Sequence, residues 1–331
     1  MKKVLKQPRK QNKGGKKKYR VRNWKEYNKA LVDRGRVIFW ITEEVLRLWE
    51  EKEQPTQKRK RGKPRVYSNI AIETALMLQQ VLHMNLRQTE GFVATLLEKT
   101  GSTHTSPDYS TLSLRAQTLP ISLFVRPIRK EPLHIVVDST GAKVYGEGEW
   151  KVRMYGWSKH RTWKKLHIGV DEKSGDILMG EVTGNDTADC EMLKPLLQQL
   201  PCDTAVHQVS ADGGYDKHRC YEALARRAVP RIAIPPQHNA KIWRHGNARS
   251  DRLPRDENLR RIRSVGRKAW KQEMNYHRRS LVEAAMFRLK TMFSDKVQAR
   301  SHTNQRVQLL LRCKALNRMT ALGMPKSYVV G

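Results

Sequence analysis

The chain has 331 residues, of which 65 are Lys or Arg and 32 are Asp or Glu, so its formal net charge is +33. An excess of positive charge on this scale points to a polyanionic partner, nucleic acid above all. The sequence has no apolar run long enough for a transmembrane helix, no glycine-rich phosphate or dinucleotide motif and no paired cysteine spacing. This disfavours membrane proteins, nucleotide-dependent enzymes, and zinc or disulfide scaffolds.

The first 67 residues are dominated by positive charge. Residues 1–22 hold eleven Lys/Arg and no acid, which predicts a disordered basic arm, either a solvated tail or a segment that contacts phosphates. Residues 23–67 predict a helical segment, with one helix capped by Thr42, and then a basic linker. The composition favours a plain linker, while minor-groove contact is the alternative. The candidates for that contact are Lys60, Arg61 and Arg65.

Residues 68–125 predict a small all-α region of three short helices. Ser68 is expected to cap the first helix, and Ser106 the third, with Pro107 in the first turn of the third. Three short helices in a basic chain are typical of a helix-turn-helix DNA-binding domain, but an ordinary helical subdomain has the same pattern. On the DNA-binding hypothesis, Arg87 and Gln88 at the start of the second helix contact DNA.

Residues 130–325 predict a mixed α/β domain in the order three strands, helix, strand, helix, strand, helix. Asp138 follows the first strand, and Asp212 follows the fourth. Acids at strand ends lie where α/β folds bind ligands, although each one alone is also an ordinary turn or cap aspartate. Asp216 is the strongest rival to Asp212, which is preferred because it directly follows the β-branched run.

The last predicted helix runs from about Tyr276 to Phe293. At roughly 100° per residue, Tyr276, Arg279, Glu283 and Lys290 share a stripe about 60° wide. Apolar residues are expected on the opposite side: Leu281, Ala285, Leu289 and Met292. One face therefore packs while the other presents an acid, two cations and a phenol; the alternative is a solvated face with an incidental acid.

The spacing Tyr276-x2-Arg279-x3-Glu283-x6-Lys290 resembles the signature of bacterial insertion-sequence transposases with an Asp-Asp-Glu active site. The acids in Val137-Asp138-Ser139-Thr140 and Ala211-Asp212-Gly213-Gly214-Tyr215-Asp216 strengthen this resemblance. Further motifs are similar to the insertion sequence five family, and with them the resemblance spans roughly residues 22–325. These motifs are Asn23 to Asn28, Arg87 to Phe92, Lys143 to Trp150 and Ile234 to Pro236.

The resemblance implies a ribonuclease-H-like catalytic core at 130–325, with a mixed five-stranded sheet, flanking helices and a basic insertion at about 236–272. It implies that Asp138, Asp212 and Glu283 are both the catalytic and the metal-binding residues. They would hold two Mg²⁺ ions, for which Mn²⁺ can substitute. A site of three carboxylates without His or Cys independently favours such hard cations.

The activity implied is that of a DNA transposase, a two-metal phosphoryl transferase. It would bind the terminal inverted repeats of its element, cleave the ends by metal-dependent hydrolysis and join the 3′-hydroxyl to target DNA by transesterification. A homo-oligomer on DNA, action at the nucleoid in the bacterial cytoplasm, no membrane and no nucleotide cofactor are expected. The alternatives are a metal-dependent nuclease without strand transfer, a non-catalytic DNA-binding protein and a decayed transposase; cut-and-paste and replicative routes both stay open.

Further DNA contacts are expected around the acids. Residues 226–300 contain twenty Lys/Arg against six Asp/Glu, which predicts a basic channel. Arg279 and Lys290 on the acid's stripe, and Lys159 and Arg161 before the second strand, are the candidate phosphate contacts. Tyr276 on the same stripe is expected either to orient DNA or to pack, and not to act as a nucleophile. Two tryptophans are either base-stacking side chains or core residues, and composition favours the core: Trp243 and Trp270.

Overall fold

A computed structural model describes residues 18–51, 65–124, 131–144, 163–244 and 253–330. Most of the predicted basic arm and of the linker lies outside the described residues, as does the loop before the second predicted strand. Four candidate DNA contacts are therefore outside these ranges: Lys60, Arg61, Lys159 and Arg161.

Residues 18–51 of the N-terminal segment form one short strand and three helices: β1 (Lys18–Val21), α1 (Trp24–Asp33), α2 (Val37–Trp40) and α3 (Glu43–Arg47). The predicted cap of α3 is confirmed, since the Thr42 hydroxyl accepts a hydrogen bond from Val45 N at 3.3 Å. The arm was expected to be disordered through residue 22, but β1 pairs antiparallel with the C-terminal strand β8 (Ser327–Val330). A strand partner some 300 residues away leaves no trace in the local composition.

The three helices predicted for the next region are present: α4 (Asn69–Val81), α5 (Leu86–Lys99) and α6 (Tyr109–Ala116). The predicted cap of α4 is also confirmed, because the Ser68 hydroxyl accepts from Ala71 N at 3.1 Å. The prediction for α6 was wrong: Asp108 is its cap, and Pro107 precedes the helix instead of opening it. The Ser106 hydroxyl bonds the Glu90 carbonyl instead.

The cap of α6 by Asp108 can be tested by mutation. One of its carboxylate oxygens accepts from Ser110 N at 2.9 Å and from Thr111 N at 2.8 Å. Bonds from the Ser110 hydroxyl and then from Thr111 hold the pKa of Asp108 well below its usual range, so the acceptor stays ionised in mild acid. Asp108→Ala is expected to lower the free energy of unfolding by about 1–2 kcal/mol in urea titrations, and Asp108→Asn by much less. Equal losses for both variants would contradict the capping role.

The second half of the chain is built around one mixed sheet. Its strands are β2 (Leu133–Val144), β3 (Trp163–Asp171), β4 (Ile177–Thr183), β5 (Val206–Ser210), β6 (Arg231–Ala233) and β7 (Lys296–Val297). The order is β4-β3-β2-β5-β6, and the unpredicted β7 adds to β2. β3 is antiparallel to both of its neighbours, while β5 and β6 run parallel to β2 and to each other.

Asp138 was expected at the end of a strand but lies near the middle of β2. The strand continues to Val144 because β3 pairs with it from Ile135 to Lys143. β7 then pairs with its last two residues. The partners of this extension come from distant parts of the chain, so the polar sequence after Asp138 looks like a turn when considered alone.

Among the described residues of this half, the helices are α7 (Asp189–Leu197), α8 (His218–Arg226), α9 (Pro254–Glu273), α10 (Ser280–Phe293) and α11 (His302–Ala321). α7 and α8 contribute to the core on one face of the sheet, and α10 and α11 to the core on the other. The second core also contains residues of α4, α5 and α6, so the N-terminal helices and the sheet are packed together. Within the described ranges, no helix combines the length and the apolar character needed to span a membrane.

The helix α11, which local sequence patterns did not predict, joins the two halves of the protein. It packs against α4 on one side and β4 on the other. Two of its buried polar side chains bond to both neighbours: Asn317 binds the backbone N and O of Ile177 at 2.8 and 2.7 Å, and Arg312 donates to Gln80 Oε1 at 2.8 Å. A helix buried on several sides has no single apolar stripe, which explains why periodicity failed to reveal it.

Candidate active site

The register of the sheet brings the first two acids together. β2 and β5 are parallel neighbours in which Val136 lies opposite Ser210. Two residues further along each chain, Asp138 and Asp212 therefore lie side by side, just beyond the end of β5. The Asp138 carboxylate accepts from Ser139 N at 2.8 Å, and that of Asp212 accepts from Gly214 N at 2.9 Å. Both carboxylates are thus held in place by backbone N–H groups.

Glu283 comes from the first turn of α10, which packs on one face of the sheet over β2 and β3. The predicted continuous helix is instead a 3₁₀ turn at Tyr276–Arg279 followed by α10. The buried face of α10 is also rotated relative to the prediction, because the helix packs on β2, β3 and α11 together. That face comprises Val282, Ala285, Met286, Leu289 and Phe293. Glu283 is next to Val282 and remains 54% exposed, at the rim of the packed surface.

Arg279 links the strand acid to the helix acid. Its Nη1 donates to Asp138 Oδ2 at 2.6 Å, and its Nη2 donates to Glu283 Oε1. The side chain is 23% exposed, and that of Asp138 is 18% exposed, so this ion pair is partly shielded from water. A single guanidinium therefore spans two of the three predicted catalytic carboxylates.

Burial raises the pKa of Asp138, and the nearby Asp212 carboxylate raises it further. The hydrogen bond from Ser139 N and the charge of Arg279 lower the pKa, but they do not cancel the increase. Burial likewise raises the pKa of Tyr276, so this residue is a neutral phenol. Desolvated, neighbouring carboxylates are stable in the ionised form only beside a cation. The site thus requires positive charge, and Arg279 supplies it here.

The fit of these residues to a metal ion follows from their donor atoms. Within the described part of the chain, no three carboxylate, imidazole or thiol groups are arranged to ligate one ion directly. Asp138 and Glu283 converge on the guanidinium instead. Because the donors are all carboxylate oxygens and already surround a cation, they fit a hard divalent ion once Arg279 moves aside.

Asp216, the rival of Asp212, is engaged inside the protein. It is 6% exposed and receives two bonds from Arg255, Nε to Oδ1 at 2.8 Å and Nη2 to Oδ2 at 3.2 Å. The Tyr221 hydroxyl donates to Oδ1 at 3.3 Å. Asp216 therefore anchors α9 to the loop before α8, whereas Asp212 is partly exposed at the edge of the site.

Tyr215, in the motif that contains Asp212, has a role in the site that was not predicted. Its ring is fully buried at the end of the turn that Asp212 begins. Burial raises its pKa, and the negative charges of Asp189, Asp138 and Asp212 raise the pKa further. Its hydroxyl has no hydrogen-bond partner among the residues that the structure describes. One local pattern could have predicted that Tyr215 is buried, namely an aromatic residue directly after two glycines at the end of a strand.

Of the remaining predicted DNA contacts, Lys290 and Arg65 are exposed, while Arg87 and Gln88 contact other residues of the protein. Lys290 is exposed about 10 Å further along α10 than Glu283, two turns away. The Arg87 guanidinium lies 4.5 Å from the centre of the Tyr109 ring. Gln88 accepts from Asn85 N at 2.8 Å as part of a capping box, and Arg65 is exposed.

The two tryptophans considered for base stacking are structural. Trp270 is 1% exposed, and its ring centre lies 6.1 Å from that of Tyr276. The Trp243 ring stacks on His218 at 3.7 Å and is 3.8 Å from the Arg255 guanidinium. Trp270 is therefore a core residue, whereas Trp243 is half-buried and packs against the core formed by α7 and α8.

Two family models match the chain. A family model described as Transposase DDE domain matches residues 129–318, more than half of the chain. The match includes Asp138, Asp212 and Glu283. A second model with the same description matches residues 32–147, which covers the N-terminal helices and β2.

Proposed function

The chain belongs to the transposases with a DDE domain, and on this basis we propose that it binds the terminal inverted repeats of its own insertion sequence, cleaves the ends and joins the 3′-hydroxyl to target DNA. DNA is the substrate of this family, and its DDE domains normally use divalent metal ions. Membership of the insertion sequence five family, two Mg²⁺ ions with Mn²⁺ as substitute, and action at the bacterial nucleoid are further parts of the proposal.

The observation that carries this proposal is a group of three carboxylates from separate segments, two of which share one guanidinium while the third lies beside the first. Asp138 comes from β2, Asp212 follows β5 and Glu283 comes from α10, and Arg279 bonds the first and the last. A stabilising role alone does not require neighbouring, mutually repelling acids, one of them largely shielded from water, in a chain of net charge +33. Metal-assisted phosphoryl transfer uses such a group of acids to hold its ions.

The three carboxylates are proposed to hold the ions. When bound, divalent ions would activate the attacking oxygen and stabilise the leaving oxygen of an in-line displacement at phosphorus. Arg279 and Lys290 are proposed to bind backbone phosphates beside the acids. Tyr276 orients DNA or packs and does not act as a nucleophile, which agrees with a phenol whose pKa is raised by burial.

The DNA-binding surfaces and the oligomer belong to the same proposal. Arg87 and Gln88 on α5, Arg65 before α4, and the basic segments with Lys60, Arg61, Lys159 and Arg161 are proposed to contact the element end. Two ends must be paired before joining, so at least a dimer is proposed on DNA. The net charge of +33 supports a long phosphate interface of this kind.

The test is cleavage and strand transfer in one tube. Purified full-length protein is incubated with Mg²⁺, target plasmid and labelled duplexes copied from the ends of the element that encodes the chain. Glu283→Gln is expected to lower both activities at least about a thousandfold, because several kcal/mol of charge stabilisation is lost. Gel-shift binding to the same duplex is expected to be retained.

Glu222→Gln provides the matched control, since it makes the same change at an exposed position on α8. It should cleave and join like the wild type. Cleavage without joining would replace the proposal by a metal-dependent nuclease. Equal end binding by all three proteins without any metal-dependent chemistry would indicate a DNA-binding protein or a decayed enzyme.

A further inference from the structure

Arg279 was predicted to bind DNA phosphate, yet it is engaged with the carboxylates themselves. Its Nη1 bonds Asp138 Oδ2 at 2.6 Å, and its Nη2 bonds Glu283 Oε1. The planar guanidinium offers several donors in a fixed geometry, so it satisfies both acids at once, which the single ammonium group of a lysine does less well. Without DNA, Asp138 and Glu283 are therefore already paired with the positive charge of Arg279.

This arrangement conflicts with metal binding by the same oxygens. Oδ2 of Asp138 and Oε1 of Glu283 face the guanidinium, and a second cation among them would be repelled by it. Asp138 is largely buried, so it also cannot exchange Arg279 for water without losing the stabilisation of its charge. Arg279 must leave before these two acids are fully available to an ion.

Another partner for Arg279 is available if the chain acts on DNA. The Arg279 side chain is 23% exposed and belongs to the 3₁₀ turn at the rim of the site. Its guanidinium can therefore be reached by solvent and by the phosphate backbone of bound DNA. Phosphate oxygens match the guanidinium geometry as well as carboxylates do. An incoming phosphodiester can therefore accept the bonds that Arg279 gives up.

We propose that Arg279 is an internal counter-cation that neutralises Asp138 and Glu283 in the DNA-free protein and transfers to a DNA phosphate on docking. DNA and divalent ions then bind cooperatively, which keeps the cleavage site incomplete until DNA is present. This inference rests on the proposed function in that it takes DNA as the ligand. Thermodynamic reciprocity requires that DNA raise metal affinity and that metal raise DNA affinity by the same factor.

The experiment measures Mn²⁺ binding by electron paramagnetic resonance of the free ion, with and without an element-end duplex, after subtraction of a duplex-only blank. In the wild type, the duplex is expected to tighten Mn²⁺ binding about tenfold. Arg279→Gln is expected to bind Mn²⁺ about tenfold more tightly than the wild type without DNA, and to show almost no further gain with DNA. Asp138→Asn should lose this binding, which identifies the acids as the site measured.

Two variants keep the test decisive. Arg278→Gln removes the neighbouring arginine, which pairs with Glu172 instead of the three acids, and should leave Mn²⁺ binding unchanged. Arg279→Lys keeps the positive charge, so it guards against misfolding and should give a smaller increase in Mn²⁺ affinity. The melting temperature in EDTA should fall in Arg279→Gln and recover when Mn²⁺ is added.

The outcomes separate this inference from the proposed function. Unchanged or weaker Mn²⁺ binding by DNA-free Arg279→Gln would overturn the counter-cation role, whatever the cleavage assay shows. A wild-type affinity for Mn²⁺ that does not respond to the duplex would overturn the transfer to phosphate. Tighter Mn²⁺ binding by Arg279→Gln in a protein that never cleaves DNA would support the counter-cation role while the proposed function fails.

Discussion

Asp212→Asn is expected to lower the rate of DNA-end cleavage at least about a thousandfold without lowering the melting temperature. The amide oxygen can still accept the bond from Gly214 N that now measures 2.9 Å, so the turn after β5 keeps its cap. The negative charge beside Asp138 is lost, and with it one of the proposed ligands of the divalent ions. Single-turnover cleavage and thermal unfolding of the same preparation measure the two effects.

Asp212→Ala serves as the companion variant, because it removes the charge and the cap together. It should be as inactive as Asp212→Asn and, in addition, less stable by about 1 kcal/mol. Cleavage by Asp212→Asn within tenfold of the wild-type rate would show that Asp212 is not part of the catalytic group. The assignment of Asp138 and Glu283 would then have to be tested with a different third acid.

Asp216→Asn, four residues further on, is expected to act on stability instead, with a loss of about 3–5 kcal/mol in the free energy of unfolding. The carboxylate receives two bonds from Arg255, and the two side chains are 3% and 4% exposed. Neutralising Asp216 leaves the buried guanidinium only partly compensated by Asp256 at 3.3 Å. Urea unfolding followed by tryptophan fluorescence is suitable, since Trp243 lies against Arg255.

An exposed ion pair of similar length provides the control for Asp216→Asn. Glu191 and Arg219 are joined at 2.9 Å, but their side chains are 46% and 59% exposed. Glu191→Gln should therefore cost less than about 1 kcal/mol. A loss of similar size in both variants would show that burial does not determine the effect, and would contradict the structural role given to Asp216.

Local patterns in the sequence were sufficient for the regular elements whose stabilising groups are close along the chain. Ser68 and Thr42 cap helices as predicted, and the Ser174-Gly175 turn joins β3 to β4. Gly175 has φ of 76°, a conformation that favours glycine, so this turn could be predicted from two residues. The preference for Asp212 over Asp216 also came from local pattern, namely the directly preceding β-branched run.

Elements stabilised by distant partners were missed or placed differently. β1 forms only because β8 pairs with it, and α11 is buried between α4 and β4 without an apolar stripe. The cap of α6 was assigned to Ser106, because both Ser106 and Asp108 are suitable caps and only the backbone path between α5 and α6 selects the latter. Arg255, the partner that makes Asp216 structural, is 39 residues away from it.

By itself, the sequence determined the basic character of the chain, the alternation of strands and helices after residue 130, and the three acids Asp138, Asp212 and Glu283 as the candidates for chemistry. Only the tertiary structure decided that Asp138 and Asp212 lie side by side, and that Arg279 bonds two of the acids instead of standing ready for DNA. The physical reason is range. Capping, periodicity and net charge depend on residues close along the chain, whereas strand register, burial and the choice of a charge partner depend on groups that folding brings together.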